Sequence, residues 1–360
     1  VNLSKKMPGE VRISTSLSAS DLGNSENGSF SVRLSKLLLG GGSLLASRLE
    51  IEKSLIDELI QRNSVRLFKR ELTFNISRVY YRIIRNLQTL RIRKMRLQRA
   101  RKNLEHAIER EKPLDIATAK IEIPQNEAAV LRAERQINSS LDDLKDLIGM
   151  PVEQDLSIEP EFSFKEIEIN VEQDITYSLK NHETILNEKL AGEKIQKDIK
   201  VSRSRILPQT SIFGKTGRDL SDNLSFQNKP EHSVGVNLSW EIGSRTQRAV
   251  YEQALNSRQI HKQNLYIKQQ NKKKEIRDLG RRLREAARLV RLQQQRVQLG
   301  ERQMALYQDR WENGEIDILE YIRSQNDLEN NRVQLINQKT NYLELLSNYL
   351  FAVGKEQKTP

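Results

Sequence analysis

Groups able to do covalent chemistry are scarce in this chain of 360 residues. It has no cysteine, which removes thiol nucleophiles, disulfides and thiolate metal sites. Its four histidines, His106, His182, His232 and His261, are scattered without metal-ligand spacing. There is no glycine-rich phosphate loop, no nucleophile elbow, and no histidine beside a plausible nucleophile. Neither catalysis nor a cofactor is expected. What the sequence does offer is a pair of carboxylates at matched places. Asp115 closes the turn "REKPLD" and Glu320 follows the turn "ENGEID", at an offset of 205 residues. Each stands where a helix should begin, so each can stabilise a helix N-terminus.

The elements that place these acids form a duplication. "MPGEVRIS" (7–14) resembles "LPQTSIFG" (207–214), and "VRLSK" (32–36) resembles "VNLSW" (236–240). The tails then match without a gap, Leu114 falling on Leu319, Leu131 on Ile336 and Gly149 on Gly354. Each copy reads as two strands, a long helix, a turn and a returning helix. Strands are expected at about 10–19, 30–39, 209–216 and 233–242, joined by polar turns at 21–28 and 218–231. Long helices are expected at 44–110 and 245–312, returning helices at 114–149 and 316–353, and a further helix at 172–206. Each long helix would run about 100 Å at 1.5 Å per residue. Pro124 should kink the first returning helix. The second carries Ile336, Leu343 and Leu350 at seven-residue steps, as in a coiled coil. The whole chain is then one elongated domain of two repeats, 8–150 and 208–354, joined by a connector and helix over 151–207. The first copy has no counterpart of the helix at 172–206, and the chain begins at Val1. A missing N-terminal helix and signal peptide are therefore expected.

The strands are the anomaly. In "SVGVNLSWEI" (233–242), Val234, Val236, Leu238 and Trp240 alternate with small or polar residues. Val32 and Leu34 do the same beside Ser31, Arg33 and Ser35. The helices use their narrow apolar stripes on one another, so no helix is left to cover this face. Strands of about ten residues are long enough to cross a bilayer at a tilt. The apolar face would meet hydrocarbon, with water on the polar side. Trp240, Phe30 and Phe213 are candidates for an interfacial aromatic girdle, and Lys36 for its rim. Four strands cannot span a membrane with open edges, so three copies closing twelve strands are expected. No stretch of about 20 apolar residues is present to form a transmembrane helix. The net charge of +12 is threaded among acids and amides along helices, as on solvated helix faces. Lys272, Lys273 and Lys274 have no aromatic neighbours to stack bases, so nucleic acid is not an expected partner.

Three stretches, "YSLKNHETILNEKLAGEKIQKDIKVSRSRILPQTSIFGK" (177–215), "SVGVNLSWEIGSRTQRAVYEQA" (233–254) and "RWENGEIDILEYIRSQNDLENN" within 310–354, carry a likeness. With the duplicated order of elements, the chain resembles the TolC-like outer-membrane efflux proteins. Trp311, Gly314, Leu319, Glu320 and Gln325 look like that family's tip signature. The resemblance implies a mainly α fold with four strands, and a homotrimer. Its twelve-stranded barrel would sit in the outer membrane of a Gram-negative bacterium, continued by a helical coiled-coil barrel in the periplasm. It implies a passive export duct in a tripartite efflux or type I secretion system, carrying small molecules or proteins. A periplasmic adaptor and an inner-membrane pump would be its partners. It places Asp115 and Glu320 at the entrance, where three chains would set six carboxylates in a cation-favouring ring. Arg323, where some members carry a second acid, would instead pair with Glu320 and hold the gate shut. Glu109 falls where the second tip has its glycine, making the two tips unequal. Lys112, Pro113, Asn313 and Gly314 are the expected docking residues for the adaptor. A periplasmic coiled-coil adaptor or scaffold is the alternative, which the duplicated strand pairs oppose.

Overall fold

A computed structural model describes residues 2–7, 11–21, 26–39, 44–159, 164–221, 225–226, 230–240, 243 and 245–355. In chain order these form β1 (Asn2–Met7), β2 (Val11–Asp21), β3 (Glu26–Leu39), α1 (Leu44–Glu109), α2 (Pro113–Ile148) and α3 (Val171–Asn181). There follow α4 (Glu183–Ile206), β4 (Gln209–Ser221), β5 (Ser225–Phe226), β6 (Glu231–Ser239), α5 (Arg245–Glu312) and α6 (Ile318–Val353). Contacts divide the chain into two units, Val1–Ser64 with Thr184–Lys268, and Val65–Glu183 with Gln269–Pro360. Among the described residues no helix is long and apolar enough to cross a membrane.

The first unit contains one antiparallel sheet. β2 pairs β3, β3 pairs β4, and β4 pairs β6, with β1 on the free edge of β2 and short β5 beside β4. The strand at β1 was not expected, and the hairpins are longer than the alternation indicates. Pairing continues to Asp21 and Glu26 in one hairpin, and to Ser221 and Ser225 in the other. Backbone hydrogen bonds carry a ladder past the point where apolar side chains stop marking it.

Register sorts the side chains. Ile13 opposes Leu34, Leu17 opposes Phe30, Lys36 opposes Ile212, and Ile212 opposes Val236. Directly opposed residues share a face, so Ile13, Leu17, Phe30, Val32, Leu34, Ile212, Val234, Val236 and Leu238 lie together. Among the described residues nothing covers the β6 part of this face: Val234 is 90% exposed, Val236 68% and Leu238 65%. Trp240, just past β6, is exposed as well. The opposite face is polar, with Ser16 hydrogen-bonded to Ser31 and Ser18 to Ser29, each at 2.7 Å. Phe213 belongs to this polar face. It opposes Ser35 and Gly235, and the Arg33 guanidinium lies 4.2 Å from its ring centroid. The expected place in an apolar girdle is therefore wrong for Phe213, because Ile212 holds the apolar side.

In the same unit α4 lies along α1. Lys194 bonds both oxygens of Asp57 at 2.7 Å, and Lys197 bonds Glu52 at 2.6 Å. Lys53 pairs with Asp198 at 2.7 Å, and Asn63 donates to Asn187 at 2.9 Å. Such half-exposed pairs fix alignment more than they add stability.

In the second unit the main core joins α3, α5 and α6. Val171, Ile175, Ile276, Leu283, Val290, Leu343, Leu346 and Val353 pack there with Tyr342 and Tyr349. Gly280 allows the close approach, since a Cβ there would stand 2.8 Å from Val171. The buried Tyr349 hydroxyl donates to Asp174 at 2.6 Å, and Lys355 bonds the other carboxylate oxygen at 2.6 Å. A second core joins α1 and α2 through Val79, Ile83 and Leu144. α2 runs through Pro124 as one helix. Both returning helices end on a left-handed glycine, Gly149 and Gly354.

The single helix expected at 172–206 is two, α3 and α4, interrupted at His182, whose backbone is extended. The buried His182 ring packs against Gly354, beside Arg70, which is ion-paired with Glu183 and donates to the Phe351 carbonyl at 2.6 Å. Burial, reinforced by the cations Lys272 and Arg70, lowers the His182 pKa from 6.5 to about 3. The unfolded chain therefore takes up this proton first as pH falls. Stability due to His182 is complete above pH 6.5 and is lost as pH drops from there toward about 3. The slope approaches but does not exceed about 1.4 kcal/mol per pH unit. Denaturant unfolding at pH 7 and pH 4.5 should show this fall, and His182→Gln should remove its share. An equal pH dependence in the variant would refute the assignment.

Candidate functional site

The matched acids stand at the ends of two helical hairpins. The α1–α2 turn places Glu111 in the left-handed region at φ 53°, its N–H bonded to the Ile108 carbonyl at 3.0 Å. The α5–α6 turn places Gly314 there at φ 77°, its N–H bonded to the Trp311 carbonyl at 3.0 Å. The residue equivalent to Gly314 is thus Glu111. The ungapped alignment gave Glu109 because the second turn is longer. A left-handed non-glycine residue costs roughly 1–2 kcal/mol, so Glu111→Gly should stabilise the hairpin by about 1 kcal/mol. Thermal unfolding checks this, and an unchanged midpoint would show the turn unstrained.

The α2 helix begins with Lys112, which makes no side-chain cap, and Pro113 at the first turn. α6 begins differently. Asp317 caps it by accepting the Glu320 N–H at 2.7 Å. The sequence reading missed this cap, although an acid three residues before Glu320 and next to an apolar run is its signature. Asp115 lies in the first turn of α2, half-buried, and Glu320 in the first turn of α6, exposed. A small core of Ala107, Ala119, Ile318 and Ile322, with Leu104 and Ile116 against it, joins these two turns to α1. The structure therefore brings the two acid-bearing turns together. Arg323 is exposed on α6, and among the described residues no ion pair joins it to Glu320. The expected clasp between them is not formed. Lys112, Pro113, Asn313 and Gly314 are all exposed, as are Leu114 and Leu319.

The hairpins are clamped by residues that spacing did not single out. The Arg110 guanidinium sits 4.3 Å from the Trp311 ring centroid and donates to the Trp311 carbonyl at 3.1 Å. Trp311 in turn stacks on Tyr321, centroids 4.5 Å apart and planes 6° from parallel. Next along α6, the buried Gln325 accepts from Asn103 at 3.0 Å. Beyond it the buried Glu329 carboxylate pairs with Arg99, and with Arg96 at 3.6 Å. Burial, then the like charge of Arg332, lowers the Arg99 pKa. The carboxylate of Glu329 is what makes that desolvated cation tolerable.

The sequence profile of the outer membrane efflux proteins matches residues 175–354, half of the chain. The chain belongs to the outer membrane efflux protein family. It is an outer-membrane efflux protein, a transport protein and not an enzyme. The alternative of a periplasmic adaptor is thereby set aside. The fold is similar to that of the outer membrane protein VceC of Vibrio cholerae, at 16% identity and TM-score 0.79, covering 96% of this chain and 86% of that one. It is similar also to the CmeC outer membrane channel of Campylobacter jejuni, at 16% identity and TM-score 0.73, covering 98% and 78%. The MtrE outer membrane channel of Neisseria gonorrhoeae matches at 14% identity and TM-score 0.78, covering 95% and 80%. No curated protein matches the chain.

Proposed function

We propose that three copies of this efflux channel close one barrel, forming a passive duct served by a periplasmic adaptor and an inner-membrane pump. The observation that carries the reading is the uncovered apolar face of an open-edged sheet. Unpaired strand edges are not tolerated in hydrocarbon. The strand directions limit how they close: β2, β3, β4 and β6 alternate, so β6 of one copy pairs antiparallel only with β2 of the next. Pairing with β1 would be parallel, so β1 must yield that edge. Twelve antiparallel strands result, lining an aqueous bore. Leu292, Leu299 and Leu306 on α5 are exposed at seven-residue steps, the pattern of a helix seam awaiting another copy.

The chain is built as two repeats, 8–150 and 208–354, a reading supported by the twin left-handed stops at Gly149 and Gly354. The tips serve as the adaptor contact, through Lys112 and Pro113 on one hairpin and Asn313 and Gly314 on the other. Asp115 and Glu320 line the entrance as a ring of six carboxylates, with Arg323 exposed near them. The cargo is small molecules or proteins in transit. Detergent extraction of the protein from outer membranes, followed by mass determination, tests the assembly. A heat-labile trimer is expected, and a monomer soluble without detergent would overturn it.

A further inference from the structure

On the closed-barrel reading above, we propose that Arg33 and Lys215 form an anion filter inside the outer-membrane barrel, selecting anionic solutes over cations. The two residues are direct cross-strand partners on the polar face, both exposed. Like charges directly opposed destabilise a sheet, and among the described side chains of that face no acid pairs with them. Ser14 opposes Arg33 on one side, and Ser233 opposes Lys215 on the other. Arg12 adds a third cation two residues along β2 from Ser14. Among the described side chains of this face the one acid is Glu231, opposite Gly217, and no ion pair joins it to these cations. The cations are left to the water and to whatever passes.

Arg33 is also held in place. Its guanidinium stacks on Phe213, and Phe213 occupies the space over Gly235, where a Cβ would stand 2.8 Å from the ring. Glycine admits the ring, the ring fixes the guanidinium, and the planar fork suits carboxylate, phosphate or sulfonate groups. Three copies would set six cations at one level of the bore. A charged ring in a narrow passage raises the local concentration of the opposite sign. This lies in the sheet, apart from the carboxylates at the helix tips, and favours the opposite charge.

The test is the reversal potential of the full-length channel in planar lipid bilayers under a potassium chloride gradient. Because the tip carboxylates favour potassium, the filter is read as a difference: the wild type should pass chloride, relative to potassium, more readily than a channel lacking the two cations. Arg33→Ser with Lys215→Ser should shift the potential toward the potassium side, and Arg33→Lys should leave it near wild type. The difference should shrink in about 1 M salt, where the screening length falls to about 3 Å. A double variant that conducts with an unchanged reversal potential would overturn the filter, leaving the barrel intact. A wild type that forms no channels would overturn the barrel reading and the filter with it.

Discussion

Glu329→Ala should destabilise the helical packing of α1 and α6 by about 3–5 kcal/mol, the usual cost of removing one member of a buried ion pair. The carboxylate is almost wholly buried and is shared by Arg99 and Arg96. Arg96 also reaches Glu122, at 3.7 Å, but Arg99 has Arg332 as its like-charged neighbour. Alanine would leave a desolvated guanidinium facing other guanidinium groups, with a cavity beneath it. Denaturant unfolding of the detergent-solubilised protein measures the loss. The double variant Glu329→Ala, Arg99→Met should recover most of it, because apolar replacement of a whole buried pair is often neutral. A loss below about 1 kcal/mol in the single variant would show that water already compensates the site.

Val236→Arg should block accumulation of folded channel in the outer membrane. Val236 lies in the middle of β6, opposite Ile212, and two-thirds of it is exposed. A cation on the lipid face of a barrel costs roughly 2–4 kcal/mol near the bilayer midplane. In the proposed trimer that cost is incurred in each copy. Asn237→Arg, one residue on and facing the polar side, should leave assembly near wild type. The comparison is read by quantifying heat-modifiable trimer in membrane fractions. Equal loss in both variants would mean that the two faces meet the same environment.

How much of this was legible in the sequence depended on whether a local rule spoke. The alternation of Val234, Val236 and Leu238 states a face directly, and the structure leaves that face bare. Phe213 was misplaced because Ile212 and Phe213 are adjacent apolar residues, and period two fits either. The pairing of Ile212 with Val236, and of Phe213 with Ser35 and Gly235, decides between them. β1 carries no alternation in "NLSKKM", so its backbone pairing left no mark on the side chains. The break at His182 has neither glycine nor proline to announce it, and is held by the burial of the ring against Gly354.

At the tips, Gly314 announces a left-handed turn while Glu111 does not, since glutamate has no preference for that conformation. Asp115 and Glu320 were found by counting along a duplication. The Arg99–Glu329 pair spans 230 residues, and no spacing rule connects them. Gln325 was read as part of a signature. Its observed partner, Asn103, gives it a structural task in joining α1 to α6.

The central claim is that hydrocarbon meets one face of the sheet and water the other. Because the chain has no cysteine, single cysteines at 232 to 239 along β6 can be labelled one at a time in membranes. The account predicts a period of two, with labels at Val234, Val236 and Leu238 quenched by brominated lipid. Labels at Ser233, Asn237 and Ser239 should react instead with water-soluble thiol reagents, Gly235 being left out because a Cβ there meets the Phe213 ring. Uniform water access along the strand, or quenching on both faces, would contradict it.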